Sequence, residues 1–476
     1  MPTRSVLLGL ALLTAGCSAS KKPNDDAATD HLELSSRGND PPPVAEFRAW
    51  AKKHAHQILL DDTAARAEDL RPFGDIVGQA RVVALSEPFH GGHEPLALRN
   101  RLIRYLVTEK GFTAVTLETG LAQSKPLYDY VLGAPSISDS TLRASFTYGF
   151  GEWAENLELL RSLRAFNVAR SAAQRVRLYG IDLPGQITGP ASEALAPVLE
   201  YLDHADPAIG AAVHAQLADV VPRFTARRYV ALSNADKDMI AAKIHDLVAL
   251  IRRNRVSFTE SSPRDEYEWA LRQAVNAEQD LALMRLLTPA FLAAVDSLDS
   301  GRGRLPRDPR QLEARTVREA AMAENVAWVL EREGQRGRIV SFAHDAHQQG
   351  HVLDLDQRAA WAPFVAGLQP AGMFARAMFG ADLVTIGTYY GRYDGPDSVA
   401  AQRPDSTGTD ALFASLALPT FLADLRAIPA NTRLHQWLMH SYPTRWGEQG
   451  RPLVSPLRAY DAVVYIDHIS PARPAK

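Results

Sequence analysis

Apolar runs of two kinds alternate along this chain. Val82-Val83-Ala84-Leu85 is a short unbroken run of the sort that makes a strand buried on both faces, and residues 94–110 then carry Leu98, Leu102, Ile103 and Leu106 at helical spacing. Gly111-Phe112 closes that helix and residues 113–117 predict a second strand, a βαβ unit of the length a right-handed crossover needs. A helix over 153–170, with Leu157, Leu160, Leu163 and Phe166 on one face, leads to a third strand over 176–181 that ends in Asp182. From Gly189 to Arg336 the strand signal nearly vanishes. Ala/Leu/Arg-rich stretches run there at helical period over 209–221, 236–253, 265–287 and 314–333. Strands resume at 338–343, 383–389 and 462–467. The predicted fold class is α/β, a mostly parallel central sheet flanked by helices with a large helical insertion. Its core is discontinuous: 44–188, opening on a short helix over 45–60, forms the first part, 189–336 the insertion and 337–476 the second part.

Composition adds little until the amino terminus is considered. With 52 Lys and Arg against 55 Asp and Glu the net charge is -3, and no basic stripe interleaved with aromatics is present, so nucleic acid is not an expected partner. Residues 1–17 carry Arg4, an apolar run from Val6 to Leu13, and Thr14-Ala15-Gly16-Cys17, the pattern of a lipoprotein signal peptide that ends at a lipidated Cys17. The run is too short to span a bilayer as a helix. Cys17 is the single cysteine, so no intrachain disulfide forms. Residues 18–43, rich in Ser, Lys, Asn, Asp and Pro, then predict a disordered tether. The expected location is the bacterial cell envelope, facing periplasm or exterior, with the membrane engaged through a lipid anchor only.

The chemistry concentrates where strands end. Leu85-Ser86-Glu87-Pro88-Phe89-His90-Gly91-Gly92-His93-Glu94 places two carboxylates and two imidazoles directly after the first apolar run. A second strand-like run, Arg338 to Ala343, empties into His344-Asp345-Ala346-His347, with His351 beyond. Carboxyl ends of strands in α/β sheets converge on a shared crevice, so two such clusters far apart in sequence are expected to face one another. The plainer alternative is that these groups cap helices and satisfy one another at a wet sheet edge.

At these residues the sequence resembles the erythromycin esterase family, which includes proteins described as succinoglycan-biosynthesis-like. The resemblance rests on an ordered series of segments. They are 84–94 running on to Arg99, Gly111 to Glu118, Leu178-Tyr179-Gly180-Ile181-Asp182-Leu183, Met322 to Trp328, and Phe342-Ala343-His344-Asp345-Ala346-His347. One departure stands out: the family usually shows Gly-Glu before its histidine, and here Ser86 precedes Glu87. The resemblance implies that His90 is a general base with Glu87 and Glu118 as acidic partners. It also implies that Arg99 and His344 hold further active-site positions, and that the activity is attack of water on an ester, in named members the lactone of a macrolide antibiotic.

The residues themselves leave three chemistries open. No Gly-x-Ser-x-Gly elbow and no available cysteine exist, which leaves water activated by an imidazole, with His344 and Arg99 polarising the carbonyl of a small-molecule ester or lactone. His93, Glu94, His347 and Asp182 are expected to bind substrate or support the site, and Arg99 has the alternative of pairing with a neighbouring carboxylate. No cofactor is expected on this route. The rival is a divalent metal such as zinc on His90, His93, Glu87, Glu118, His344 and His347, although no zinc motif of proper spacing is present. The third possibility is a lipoprotein that binds a polar ligand through the same histidines without turning it over.

Overall fold

A computed structural model describes residues 37–60, 67–185, 189–299, 308–355, 366–396, 400–446 and 451–475. The signal segment with Cys17 and the tether up to residue 36 lie outside the described residues. In chain order the strands are β1 (Ala55–Gln57), β2 (Val82–Glu87), β3 (Ala114–Gly120), β4 (Arg177–Asp182), β5 (Ile339–His344), β6 (Asp354–Leu355), β7 (Leu383–Tyr393), β8 (Thr420–Asp424), β9 (Tyr442–Pro443), β10 (Pro452–Val454) and β11 (Ala462–Ile469). The helices that matter for the site and the core are α1 (Val44–His54), α2 (His93–Glu109), α3 (Ala154–Val168), α4 (Asn234–Arg253), α5 (Arg264–Leu286) and α6 (Pro309–Glu333).

The main sheet runs β1-β8-β11-β7-β2-β5-β3-β4. All pairs from β11 to β4 are parallel, and β8 and β1 extend one edge in antiparallel fashion. β2, β3 and β5 are buried at every position, which is why each reads as a continuous apolar run rather than an alternation. Alternate side chains of β2 serve two cores. Val83 and Leu85 pack with Leu98, Leu102 and Leu106 of α2 and with Leu157, Leu160 and Leu163 of α3, whereas Val82 and Ala84 meet Met322, Val326 and Val329 of α6. The insertion has a core of its own, in which Ile240, Ile244, Leu247 and Ile251 of α4 lie with Tyr267, Ala274 and Leu281 of α5. Among the described residues no helix is long and apolar enough to cross a membrane.

Two expectations need correction, and two features had no counterpart among them. The helix expected over 45–60 stops at His54, and Ala55–Gln57 becomes β1, paired with β8; an available sheet edge overrides local helical preference. β8 itself and the small sheet β6-β10-β9 carry too few residues to give a period and were not expected. Residues 37–43, placed in the tether, lie on the body. Arg37 bridges Ser441, and the Asp40 carbonyl accepts a 3.0 Å bond from Trp437 Nε1, so this stretch is bonded to the body at these points.

Candidate active site

β2 and β5 pair in the register Glu87↔His344, so the last residues of the two strands stand side by side at the carboxyl edge of the sheet. On the far side of β5, the pairing of β3 with β4 slips between Leu117 and Gly120. Such an irregularity re-aims side chains, and here it sends Glu118 toward β5, where its Oε2 accepts the His344 backbone N–H at 2.8 Å. Gly180 of β4 lies so close to the irregularity that a Cβ would stand 2.4 Å from the Thr119 carbonyl oxygen, so this position requires glycine.

Beyond β2 the chain turns through Pro88 and Phe89, and Gly91 at φ 80° gives the left-handed step that precedes α2. The turn folds His90 back onto its own strand, Nδ1 lying 2.8 Å from Glu87 Oε1. An ionised carboxylate only accepts, so Nδ1 carries the proton and Nε2 is left as an acceptor, 4.0 Å from Glu118 Oε1 and beyond hydrogen-bond reach of it. The Phe150 ring at 4.7 Å and the His344 ring at 5.0 Å flank the imidazole. His90 is 28% exposed against 3% for Glu87 and 6% for Glu118, so in this cluster it is the imidazole that solvent reaches.

The three histidines are tuned differently. Burial pulls His90 down, but the charges of Glu118 and Glu87 outweigh it and raise its pKa above the ordinary imidazole value. His347 sits between two carboxylates, Nδ1 2.7 Å from Glu319 Oε2 and Nε2 3.2 Å from Glu118 Oε1; these outweigh its burial and raise it to about 9, so it is an imidazolium at neutral pH. His344 goes the other way: burial, with the charge of His90 next, holds it well below its usual value. Its Nδ1 caps the short helix Asp345–Gln348 by accepting the Ala346 N–H at 2.9 Å, so the neutral ring carries its hydrogen on Nε2. That Nε2 makes no hydrogen bond of ordinary geometry within the protein. Glu118 is held in its ionised form, its own burial outweighed by His347, His90 and Arg318.

Around this centre lies a second group, of which the sequence singled out only Asp182. Arg318 of α6 grips Asp182 at the end of β4 with two bonds, Nε to Oδ1 at 2.9 Å and a terminal nitrogen to Oδ2 at 2.7 Å. The Tyr148 hydroxyl donates to the same carboxylate at 2.5 Å and accepts from Arg318 at 2.8 Å. Arg318 also stands 3.9 Å from Glu118, linking Asp182 to the centre. Tyr148 adopts φ 60°, a rare conformation for a residue with a side chain, and such strain is found most often at functional sites. Trp446 meets the edge of His344 at 5.4 Å. Ser86, the departure from the family pattern, is bonded to Asp345 beside His344, and Tyr460 donates to that carboxyl at 2.9 Å; burial raises Asp345 to about 7.

The structure therefore gathers His90, Glu87, Glu118, His344 and His347, and joins Asp182 to them through Arg318. Arg99 lies deeper, against a small void shared with Glu87 and Glu118, its guanidinium over the Phe342 ring at 4.7 Å and bonded to Asn100 Oδ1 at 2.8 and 3.0 Å. Burial lowers it to about 10, with Glu87 and Glu155 opposing, so it remains a cation behind the Glu87 carboxylate. His93 and Glu94 do not join. His93 Nδ1 pairs with Glu155 at 2.6 Å, and Glu94 accepts two bonds from Ser470. Among the described residues no group of three or more His, Cys, Asp or Glu side chains is arranged to hold a metal ion.

The erythromycin esterase family model matches residues 107–469, a stretch that includes Glu118, Asp182, Arg318 and His344 and begins after His90. An Escherichia coli erythromycin esterase of type II is 28% identical over 138 residues, which is 29% of this chain and 32% of that protein, so the match spans about a third of the relative's length. A Bacillus cereus protein of known crystal structure has the same fold, with a TM-score of 0.73 at 23% identity over 92% of this chain and 100% of that one. So does an erythromycin esterase mutant in its open conformation, with a TM-score of 0.60 at 18% identity over 88% and 98% of the two chains. The structural likenesses speak for the fold, and the extent of the family match decides the rest: the chain belongs to the erythromycin esterase family.

Proposed function

We propose that the protein is a hydrolase that cleaves an ester or lactone with water activated by His90 and without a metal. The observation that carries the reading is the pairing of His90 Nδ1 with Glu87, which leaves Nε2 as an open acceptor beside a neutral His344 whose Nε2–H makes no hydrogen bond of ordinary geometry. In the reaction, water attacks the acyl carbon while His90 Nε2 takes its proton, and Glu87 stabilises the imidazolium. The carbonyl oxygen becomes the oxyanion and is met by His344 Nε2–H. Collapse breaks the acyl C–O bond and the departing alkoxide takes the proton from His90, giving an acid and an alcohol from an open-chain ester or a single hydroxy acid from a lactone. Family membership supports hydrolysis of a small-molecule ester, and the likeness to erythromycin esterases makes a macrolide lactone the first substrate to try.

The decisive experiment is a pH–rate profile on an ester and lactone panel, with and without chelator. His90 acts unprotonated and its pKa lies above 6.5, so the rate is expected to rise with pH through a midpoint above that value and to ignore chelator. Loss of activity on chelation, restored by zinc or manganese, would reassign the histidines and carboxylates as metal ligands.

The amino-terminal pattern supports an envelope-tethered protein held through Cys17. In a bacterial envelope host, Cys17→Ser is expected to move the protein from the membrane fraction to the soluble one, and continued membrane association would end the lipid-anchor reading.

A further inference from the structure

After β11 the chain runs back across the turn that carries His90. His93 N–H donates to the Ser470 carbonyl at 2.8 Å, Ala472 N–H donates to the Gly91 carbonyl at 2.7 Å, and Gly92 bridges Pro471. The same segment then crosses the start of α3. Ala154 N–H donates to the Arg473 carbonyl at 2.7 Å, Trp153 bridges Pro474, and Ala475 N–H donates to the Glu152 carbonyl at 2.7 Å. Residues 470–475 thus tie the His90 turn to the aromatic wall beside it, in which Phe150 lies against His90 and stacks on Trp153 at 4.9 Å.

One side chain closes the arrangement. Glu155 is fully buried, and its Oε1 meets His93 Nδ1 at 2.6 Å, Arg473 N at 3.2 Å and Arg473 Nε at 2.9 Å. Arg473 reaches on to Glu158 at 2.7 Å. Glu94, at the start of α2, holds Ser470 through both carboxylate oxygens, at 2.6 and 2.8 Å. The family match ends at residue 469, just before this segment.

We propose that residues 470–475 are a positioning strap for His90, with Glu155 the residue through which it acts. The inference rests on His90 as the base. Without the strap, the Gly91 carbonyl and the His93 N–H would turn to water, and the link between β2 and α2 would lose the bonds that fix where His90 sits over Glu87. A misplacement of about 1 Å is enough to cost about a hundredfold in rate. His93 and Glu94 then serve the site by fastening the strap and not by touching substrate.

Arg473→Ala, Arg473→Lys and Glu155→Gln in the full chain test this, read by kcat and KM on an ester the wild type hydrolyses, by thermal unfolding, and by NMR titration of the His90 ring. Arg473→Ala is expected to lower kcat roughly tenfold to a hundredfold with little change in KM. It should also bring the His90 titration down toward that of a free imidazole, because the hold of Glu87 on Nδ1 loosens, and Arg473→Lys should restore most of both. A strap that only stabilises would lower the unfolding temperature and leave kcat and the His90 titration unchanged, and that result overturns the proposal. Should Glu155→Gln not fold, Arg473→Ala decides, since the arginine side chain is 51% exposed. If the wild type hydrolyses none of the panel, the hydrolase reading has failed. The His90 titration then judges the strap alone: shifted in Arg473→Ala it supports the strap, unshifted it overturns it.

Discussion

His90→Ala is expected to lower kcat by about 10²–10⁴-fold, the contribution of a positioned general base, while the protein stays folded. The side chain lies at the solvent side of the cluster and outside the hydrophobic cores, so its removal leaves the packing of β2 and α2 in place. Glu87→Gln should lose less. The amide oxygen can still accept from Nδ1, but the charge is gone, so the midpoint of the pH–rate profile should fall as one of the two carboxylates that raise His90 disappears. Steady-state kinetics on a responsive ester, with circular dichroism as the fold control, provide the measurement. Activity of His90→Ala within about threefold of wild type would remove His90 from the mechanism.

The largest effect on stability is expected from Arg318→Ala, a loss of about 3–5 kcal/mol. Asp182 has no exposure and Arg318 has 6%, so removing the guanidinium takes away the two bonds and the charge that grip the carboxylate and leaves it buried, bonded by the Tyr148 hydroxyl and the Leu183 N–H, with Arg315 a further cation near it. Removing both charges should hurt less than removing one, because the cost lies mainly in the uncompensated ion. Denaturant midpoints of Arg318→Ala and of Arg318→Met with Asp182→Leu would measure this. Were the single variant as stable as wild type, the pair would not be the buried clamp that its geometry describes.

The centre of the site was legible in the sequence because the central strands are buried on both faces. Each appears as an unbroken apolar run, and the polar residues that end it, Glu87, Glu118, Asp182 and His344, are marked by position alone. His93 and Glu94 misled for a geometric reason. They are neighbours of His90 in sequence, but α2 begins at His93, and a helix turns each successive side chain by about 100°, away from the strand end. Arg318 and Glu319 gave no signal, since they lie within a helix of 25 residues that carries charges throughout, and which of those charges face inward is settled by packing. Arg99 illustrates the opposite case: its place in the series of segments was visible, while its seat over Phe342 behind Glu87 depends on the register of α2 against the sheet. β8 and the small sheet fall below the length at which a period can be counted.

The position of β5 between β2 and β3 has a consequence for biosynthesis. β2, β3 and β4 leave the ribosome early, yet the strand that joins β2 to β3 lies beyond the whole helical insertion. At about 5–20 residues per second, the nascent chain waits on the order of ten seconds with both edges of β2 and the inner edge of β3 unpaired. Open edges of that kind are templates for pairing with other chains. The insertion, which contains its own core, can fold during the wait, whereas the sheet and every strand end of the site can be completed only after His344 emerges. Catalytic geometry is therefore acquired last, and a chain truncated before β5 should present a folded helical body attached to an aggregation-prone, unfinished sheet.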